Sequence, residues 1–194
     1  MDRWKQLYRK FQAVESAREA REREVEERKA AFENWCRVAT DAALDGVVSG
    51  LRARGEEFAQ HTGIRIAVEA RNRPPVEMGE GGPRMSFVRV SLATARIDLY
   101  SHREPGGLPV LHVVRSHYSP GHPPMIRHVD VIVSVPTCTV IRLPDDGWAL
   151  RRVGLSGRVD EDGEAVDIDE LVFEIFEMLV DMHTKVVVGH EGET

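Results

Sequence analysis

Cysteine, lysine and long apolar runs are scarce in this 194-residue sequence. The two cysteines, Cys36 and Cys138, stand about a hundred positions apart, which excludes a disulfide framework and a four-cysteine zinc site. No stretch approaches the roughly 18 uninterrupted apolar residues that a membrane-spanning helix requires. The first ten residues lack the apolar run and small-residue cleavage site of a secretion signal. We therefore expect a soluble cytoplasmic protein whose cysteines are reduced and buried.

The short motifs that mark many enzymes are also missing. The sequence contains no G-x-S-x-G elbow, no G-x-x-x-x-G-K phosphate loop, no G-x-G-x-x-G after a strand, no H-E-x-x-H and no C-x-x-C. The glycines at 79, 81 and 82 are not followed by a helix that would aim amide groups at a phosphate. These absences lower the odds of an enzyme without excluding one, and they give no reason to expect a cofactor.

Charge is distributed unevenly along the chain, although the total is only −6. Residues 1–62 carry 12 basic and 12 acidic side chains, residues 63–158 carry 13 and 8, and residues 159–194 carry 1 and 12. The acidic carboxyl-terminal segment can attract the basic middle segment within one fold or between two copies of the chain. Self-association is the simpler interpretation.

The first fourteen residues predict a helix with one apolar face. The large apolar side chains recur at spacings of three and four, at Trp4, Leu7, Tyr8, Phe11 and Val14. From Glu15 to Lys29 the only sizeable apolar side chain is Val25, and Glu–Arg pairs four residues apart predict a solvated helical rod.

The apolar stripe returns in the second half of the same helix, which is predicted to run from about Asp2 to beyond Leu51. It includes Phe32, Trp35, Val38, Ala39, Ala42, Ala43, Val47, Val48, Leu51 and Phe58. Gly46, Ser49 and Gly50 leave room for the close approach of another backbone. This half is expected to pack against a core.

The amino-terminal apolar face has no nearby partner in the sequence and therefore needs one from elsewhere. In the preferred interpretation Trp4, Leu7, Phe11 and Val14 dock on a second copy or on another protein. In the alternative, a kink in the charged stretch folds the helix back onto its own domain. The predicted organisation is a projecting helical arm over 1–31, an α+β domain over 32–184 and a flexible tail over 185–194.

The middle of the chain predicts an antiparallel sheet. Ile64, Ile66, Val68 and Ala70 alternate with polar residues, as in a strand with one buried face. A proline- and glycine-rich loop follows over 72–84, and further strands are predicted from 86, over 110–118, 126–135, 139–143 and 148–153. A bulge or tight turn is expected at Ala93 and Thr94, where the buried parity changes. The fold class is α+β, with the long helix and a carboxyl-terminal helix on one face of a β meander.

The other face of this sheet carries a candidate ligand site. Arg89, Arg96, Tyr100 and His102 combine guanidinium groups with an aromatic ring, which suits a phosphorylated ligand or single-stranded nucleic acid. Acidic residues are interspersed and the whole protein is acidic. An ordinary solvated face is therefore preferred, and nucleic acid is an unlikely partner.

Histidines are concentrated between positions 102 and 128. A hairpin around the turn at 119–124 would bring His117 near His128, with Asp130 on the same face as His128. Two histidines and one carboxylate form a common metal-binding group. The other histidine spacings do not suit a single local site, so surface histidines without a ligand are preferred over a metal site.

The last predicted element is a helix from Asp167 to about His183, with Asp167 as its cap and Glu170 completing a capping box. One apolar stripe faces the core, while Phe173, Phe176 and Val180 widen the apolar surface beyond what one sheet requires. These three residues face a partner, or else the helix is wedged between the sheet and the long helix. The sequence leaves the two alternatives open.

These patterns favour a non-catalytic cytoplasmic adaptor or assembly subunit that self-associates as a homo-oligomer and contacts a protein partner. The first alternative is a small-ligand or metal-binding protein, or an enzyme, that uses the hairpin histidines. The second is single-stranded nucleic-acid binding on the arginine-rich sheet face. No contact with a membrane is expected.

Overall fold

The computed structural model of the chain describes residues 2–71, 87–93, 95–104, 106–118, 129–153 and 163–191. The predicted loop over 72–84, the turn at 119–124, and His128 lie outside these residues. Over the described ranges two helices and seven strands follow one another: α1 (Asp2–Thr62), β1 (Ala67–Arg71), β2 (Phe87–Leu92), β3 (Ala95–His102), β4 (Val110–Tyr118), β5 (Val129–Arg142), β6 (Trp148–Arg152), β7 (Ala165–Val166) and α2 (Ile168–Glu191).

The strands form one antiparallel sheet in sequence order, β1 to β7. Each strand pairs with the next one along the chain, so the connections are those of a meander. The predicted α+β class is confirmed: a long amino-terminal helix and a carboxyl-terminal helix accompany a seven-stranded antiparallel sheet.

A tight turn joins β2 to β3, where the parity of buried residues was predicted to change. Leu92 pairs with Ala95 across this turn, and Ala93 within it has a φ of 49°. Within a single strand, residues an odd number of positions apart point to opposite faces. Leu92 and Ala95 are three positions apart but are cross-strand partners, which point to the same face, so both are buried. The predicted tight turn is confirmed.

Strand β5 is longer than the sequence suggests, because it joins the two segments predicted over 126–135 and 139–143. Pro136 pairs with His112 and Cys138 pairs with Leu111, so one residue of β5 is extra at this point. Proline has no amide hydrogen for the ladder, and a bulge is where a strand tolerates it. The prediction of two separate strands over 126–135 and 139–143 was wrong, since β5 continues through the bulge from Val129 to Arg142.

Asp167 caps α2 as predicted. The amide nitrogen of Asp169 donates a hydrogen bond to Oδ1 of Asp167 at 3.2 Å, which satisfies a donor in the first helical turn. The helix then continues to Glu191, eight residues beyond the predicted end at His183. Much of the segment predicted as a tail is therefore helical.

The core lies between the helices and one face of the sheet. Helix α2 packs against β2 and β3, and also against α1 at the predicted glycines. A β-carbon added at Gly46 would lie 2.6 Å from Cδ1 of Ile168, and one at Gly50 would lie 2.8 Å from Cγ2 of Val172. The sequence predicted the close approach of another backbone at these glycines, and in the structure they leave room for the Ile168 and Val172 side chains of α2.

The chain divides into two compact units, residues 1–38 and residues 39–194, with the boundary inside α1. The sequence predicted a boundary after residue 31, between the helical arm and the α+β domain. Neither helix, within the stretches described, has a segment apolar and long enough to cross a membrane.

Candidate functional site

Five large apolar side chains are exposed in the first four turns of α1. Their exposed fractions range from 56% for Leu7 to 79% for Trp4. We call this set, Trp4, Leu7, Tyr8, Phe11 and Val14, the N-terminal stripe. It contains all four arm residues predicted to bind a partner, and each of them is more than half exposed.

The charged stretch after the stripe has the pairs expected of a solvated helix. Arg18 binds Glu15 at 2.8 Å and approaches Glu22 at 3.8 Å, with all three side chains at least 36% exposed. Exposed pairs of this spacing stabilise a helix by only about 0.2–0.5 kcal/mol each. The helix is continuous through this stretch, but its charged pairs do little to hold it together.

Helix α2 presents a second exposed surface. Phe173 is 62% exposed, whereas Phe176 and Val180 are half-buried. The ring of Phe176 lies edge-on to that of Phe58 in α1, with the centroids 5.3 Å apart. Of the three α2 residues predicted to meet a partner, Phe176 thus contacts α1 of its own chain, and Phe173 extends into solvent.

Arg152 of β6 binds two of the carboxylates on α2. Its Nη1 donates to Oε2 of Glu174 at 2.7 Å, and its Nη2 lies 3.3 Å from Oε1 of Glu170. The hydrogen bond to Glu174 raises the pKa of Arg152 above its ordinary value. The contacts of Arg152 with Glu174 and Glu170 hold α2 against β6.

We call Phe173, Val180, Asp169, Glu177 and Asp181 the acidic α2 surface. These residues lie on the outward side of the helix, opposite the buried Leu171, Ile175 and Leu179. In the part of the chain that the structure describes, its three carboxylates form no ion pair. Among the described residues, no basic side chain therefore neutralises their charge.

The predicted arginine-rich face is present, but its guanidinium groups are already bound. Arg89 holds Asp98 with two hydrogen bonds, of 2.8 and 3.2 Å, and Nε of Arg96 reaches the same carboxylate at 2.9 Å. The three side chains are only 12–23% exposed. A phosphate would have to displace Asp98 from two partners, so this arrangement is suited to holding β2 and β3 together.

The aromatic part of that face also contacts neighbouring side chains. Tyr100 stacks on His112 with centroids 5.3 Å apart, and His102 lies edge-on to His112 at 6.0 Å. Burial lowers the pKa of His112, and the nearby His102 lowers it further. Sequence reasoning missed His112 as a member of this cluster, because only the register of β3 and β4 makes it the cross-strand partner of Tyr100.

The structure describes only the backbone of two residues of the predicted metal site and does not describe the third. His117 and Asp130 are cross-strand partners in β4 and β5, while His128 lies outside the described residues. Among the side chains that the structure does describe, no three from histidine, cysteine, aspartate and glutamate form a group that would hold a metal ion.

The two cysteines are buried, as predicted. Burial raises the pKa of Cys138 to about 11, although the neighbouring charge of Arg152 acts in the opposite direction. The thiol is therefore protonated at neutral pH, and a protonated thiol is a poor nucleophile.

Comparison with known proteins gives no match: no family model, no curated protein and no solved structure is significantly similar to the chain. The functional argument therefore rests on the surfaces described above.

Proposed function

We propose that this protein is a non-catalytic cytoplasmic adaptor or assembly subunit that self-associates and acts through protein–protein contacts. The observation that carries the proposal is the exposure of the N-terminal stripe, five large apolar side chains on one face of a continuous helix.

The size of the exposed patch supports this function. A large aromatic side chain buries on the order of 150–250 Å² when it is covered, and the stripe has three of them together with a leucine and a valine. Contiguous apolar patches beyond a few hundred Å² are uncommon on monomers and mark interaction sites. Five such side chains, each more than half exposed, would make a patch of this order, which supports a macromolecular partner.

Helix energetics support the same conclusion. Most of the stability of a helix in a protein comes from packing its apolar face, and propensity alone contributes little. The N-terminal stripe has the apolar face, and its five side chains are exposed in the part of the chain that the structure describes. A partner would supply the missing packing.

The proposal is tested by the mass of the protein in solution. Leu7→Glu with Phe11→Glu places two charges in the stripe and is expected to yield a smaller species that is still folded. Gln6→Glu with Ala13→Glu adds the same charges to the opposite side of the same turns, and is the matched control. Light scattering measures the mass, and circular dichroism measures the fold.

A decrease in mass for the stripe variant alone supports self-association. An equal mass for wild type, stripe variant and control overturns it. Both double variants add two negative charges, but only the stripe variant removes apolar side chains from the stripe, so a general effect of added charge would change both equally.

A second candidate function is metal binding at the β4–β5 hairpin. It is supported by the cross-strand pairing of His117 with Asp130, which brings two backbone positions with metal-binding residue types together. Added zinc is expected to raise the melting temperature of wild type but not of His117→Ala. An unchanged melting temperature for wild type, with no metal in elemental analysis, would remove this candidate.

A further inference from the structure

We propose that the N-terminal stripe of one copy docks on the acidic α2 surface of a second copy. This inference rests on the self-association proposed above and names the surface that receives the stripe. Three observations carry it: opposite charge, apolar side chains on both surfaces, and α2 carboxylates that form no ion pair among the described residues.

The charges of the two surfaces are complementary. Residues 1–14, which contain the stripe, include four basic residues and one acidic residue and have a net charge of +3: Arg3, Lys5, Arg9, Lys10 and Asp2. Between Ile168 and Met182, α2 carries five acidic side chains and no lysine or arginine. Complementary potentials favour this pairing and speed the encounter of the two surfaces.

Apolar side chains lie along both surfaces, although those of α2 are fewer. The stripe from Trp4 to Val14 spans about 15 Å along its helix, and the apolar residues of the α2 surface, Phe173 and Val180, lie about 10 Å apart along theirs. On α2, the exposed Phe173 and the half-buried Val180 lie seven residues apart, on the same side of the helix. Two helices can therefore meet along an apolar seam with charged residues at its edges.

The position of the charges on each helix strengthens the match. Arg3 and Lys10 border the stripe on one side, whereas Arg9 points away from it. On α2, Glu177 and Asp181 border Phe173 in the same way. Arg152 contacts Glu174 and Glu170 but neither Glu177 nor Asp181. The two border carboxylates can therefore pair with a cation of another chain.

The same charges disfavour the pairing of two stripes and the pairing of two acidic α2 surfaces. Stripe against stripe would bring the basic side chains of two copies together, and two acidic α2 surfaces would bring six carboxylates together. The cross-pairing is the one combination of these surfaces that places opposite charges in contact. If the contact is reciprocal it closes a two-fold dimer, and if it is one-way it produces rings or chains.

The test is a charge exchange on exposed residues of the full chain. Arg3→Glu with Lys10→Glu reverses the border of the stripe, and Glu177→Lys with Asp181→Lys reverses the border of α2. Each pair alone is expected to weaken association about tenfold or more, because attraction becomes repulsion. All four changes together retain the wild-type net charge and are expected to restore association.

Two further variants control for general effects. Arg9→Glu with Arg52→Glu makes the same change in net charge on exposed residues away from the stripe border, and is expected to leave association unchanged. Phe173→Ser removes the exposed ring of α2 and is expected to weaken association with no loss of folded protein. Sedimentation equilibrium measures the dissociation constant of each variant.

The results distinguish this inference from the proposal on which it rests. If Leu7→Glu with Phe11→Glu dissociates the oligomer but the α2 variants do not, self-association stands and the acidic α2 surface is not the docking site. If the fourfold exchange fails to restore association, the pairing of these two surfaces is also overturned. If wild type is a single chain at every concentration, both proposals fail.

Discussion

Two leucines of the same helix show the difference between the two units of this protein. Leu7 belongs to an apolar stripe in residues 1–38 and is 56% exposed, whereas Leu51 belongs to a stripe in residues 39–194 and is fully buried. Both stripes follow the same helical spacing. Periodicity thus specifies which face of a helix is apolar, and the surroundings decide whether the face is covered within the chain.

The largest expected effect comes from truncating these two leucines separately. Leu51→Ala is expected to lower the free energy of unfolding by about 2–5 kcal/mol, because it leaves a cavity in a packed core. Leu7→Ala should change it by less than about 0.5 kcal/mol in dilute protein, where the side chain has no cover to lose. Urea unfolding measures both, and equal costs would contradict the distinction between the two stripes.

The next largest effect concerns buried and exposed ion pairs. Asp98→Asn removes the carboxylate that holds Arg89 and Arg96 on the sheet, and we expect a loss of about 2–3 kcal/mol, discounted for the 12–23% exposure of the three side chains. Asp146→Asn removes a pair with Arg142 whose side chains are 76% and 44% exposed, and should cost less than about 1 kcal/mol. Similar costs in urea unfolding would refute this ranking.

A smaller effect is expected at two glycines of α1. Gly50→Ala would place its β-carbon 2.8 Å from Val172, a stiff β-branched side chain, so overpacking should lower stability by about 1 kcal/mol. At Gly55 the nearest atom is 3.8 Å away, so Gly55→Ala should raise stability by up to about 1 kcal/mol through helix propensity. Thermal unfolding checks both signs, and a stabilising Gly50→Ala would contradict the close helix contact.

The smallest effect is a dependence on pH. Because the pKa of His112 is lowered below its ordinary 6.5, the unfolded chain binds the proton more readily than the folded chain. The stability that neutral His112 contributes is therefore present above pH 6.5 and is lost as the pH falls below it. His112→Gln should flatten the fall of the melting temperature on acidification. An unchanged slope would show that His112 is not responsible.

Local rules were enough to predict much of the fold. The period-two alternation in β2 and β3, the parity change at Ala93 and the cap at Asp167 each depend on neighbours within a few residues, and all three were confirmed. The buried face predicted for the first strand was wrong, since Ile64 lies before β1 and is 44% exposed. The glycines at 46 and 50 likewise predicted a close approach before its partner, α2, was known.

The features that sequence reasoning missed depend on distant parts of the chain. The pairing of Arg89 with Asp98 and of Tyr100 with His112 follows from strand register, which no single segment specifies. The contact of Phe176 with Phe58 joins residues more than a hundred positions apart. Composition alone also failed to show that Pro136 sits in a bulge inside a continuous strand.

The most direct test of the account is the solution mass of the unaltered chain, measured by sedimentation equilibrium over a dilution series. We expect a mass above that of a single 21.8-kDa chain at high concentration, falling toward it on dilution. A mass of 21.8 kDa at every concentration would mean that no second copy covers the N-terminal stripe, and would contradict the proposed assembly.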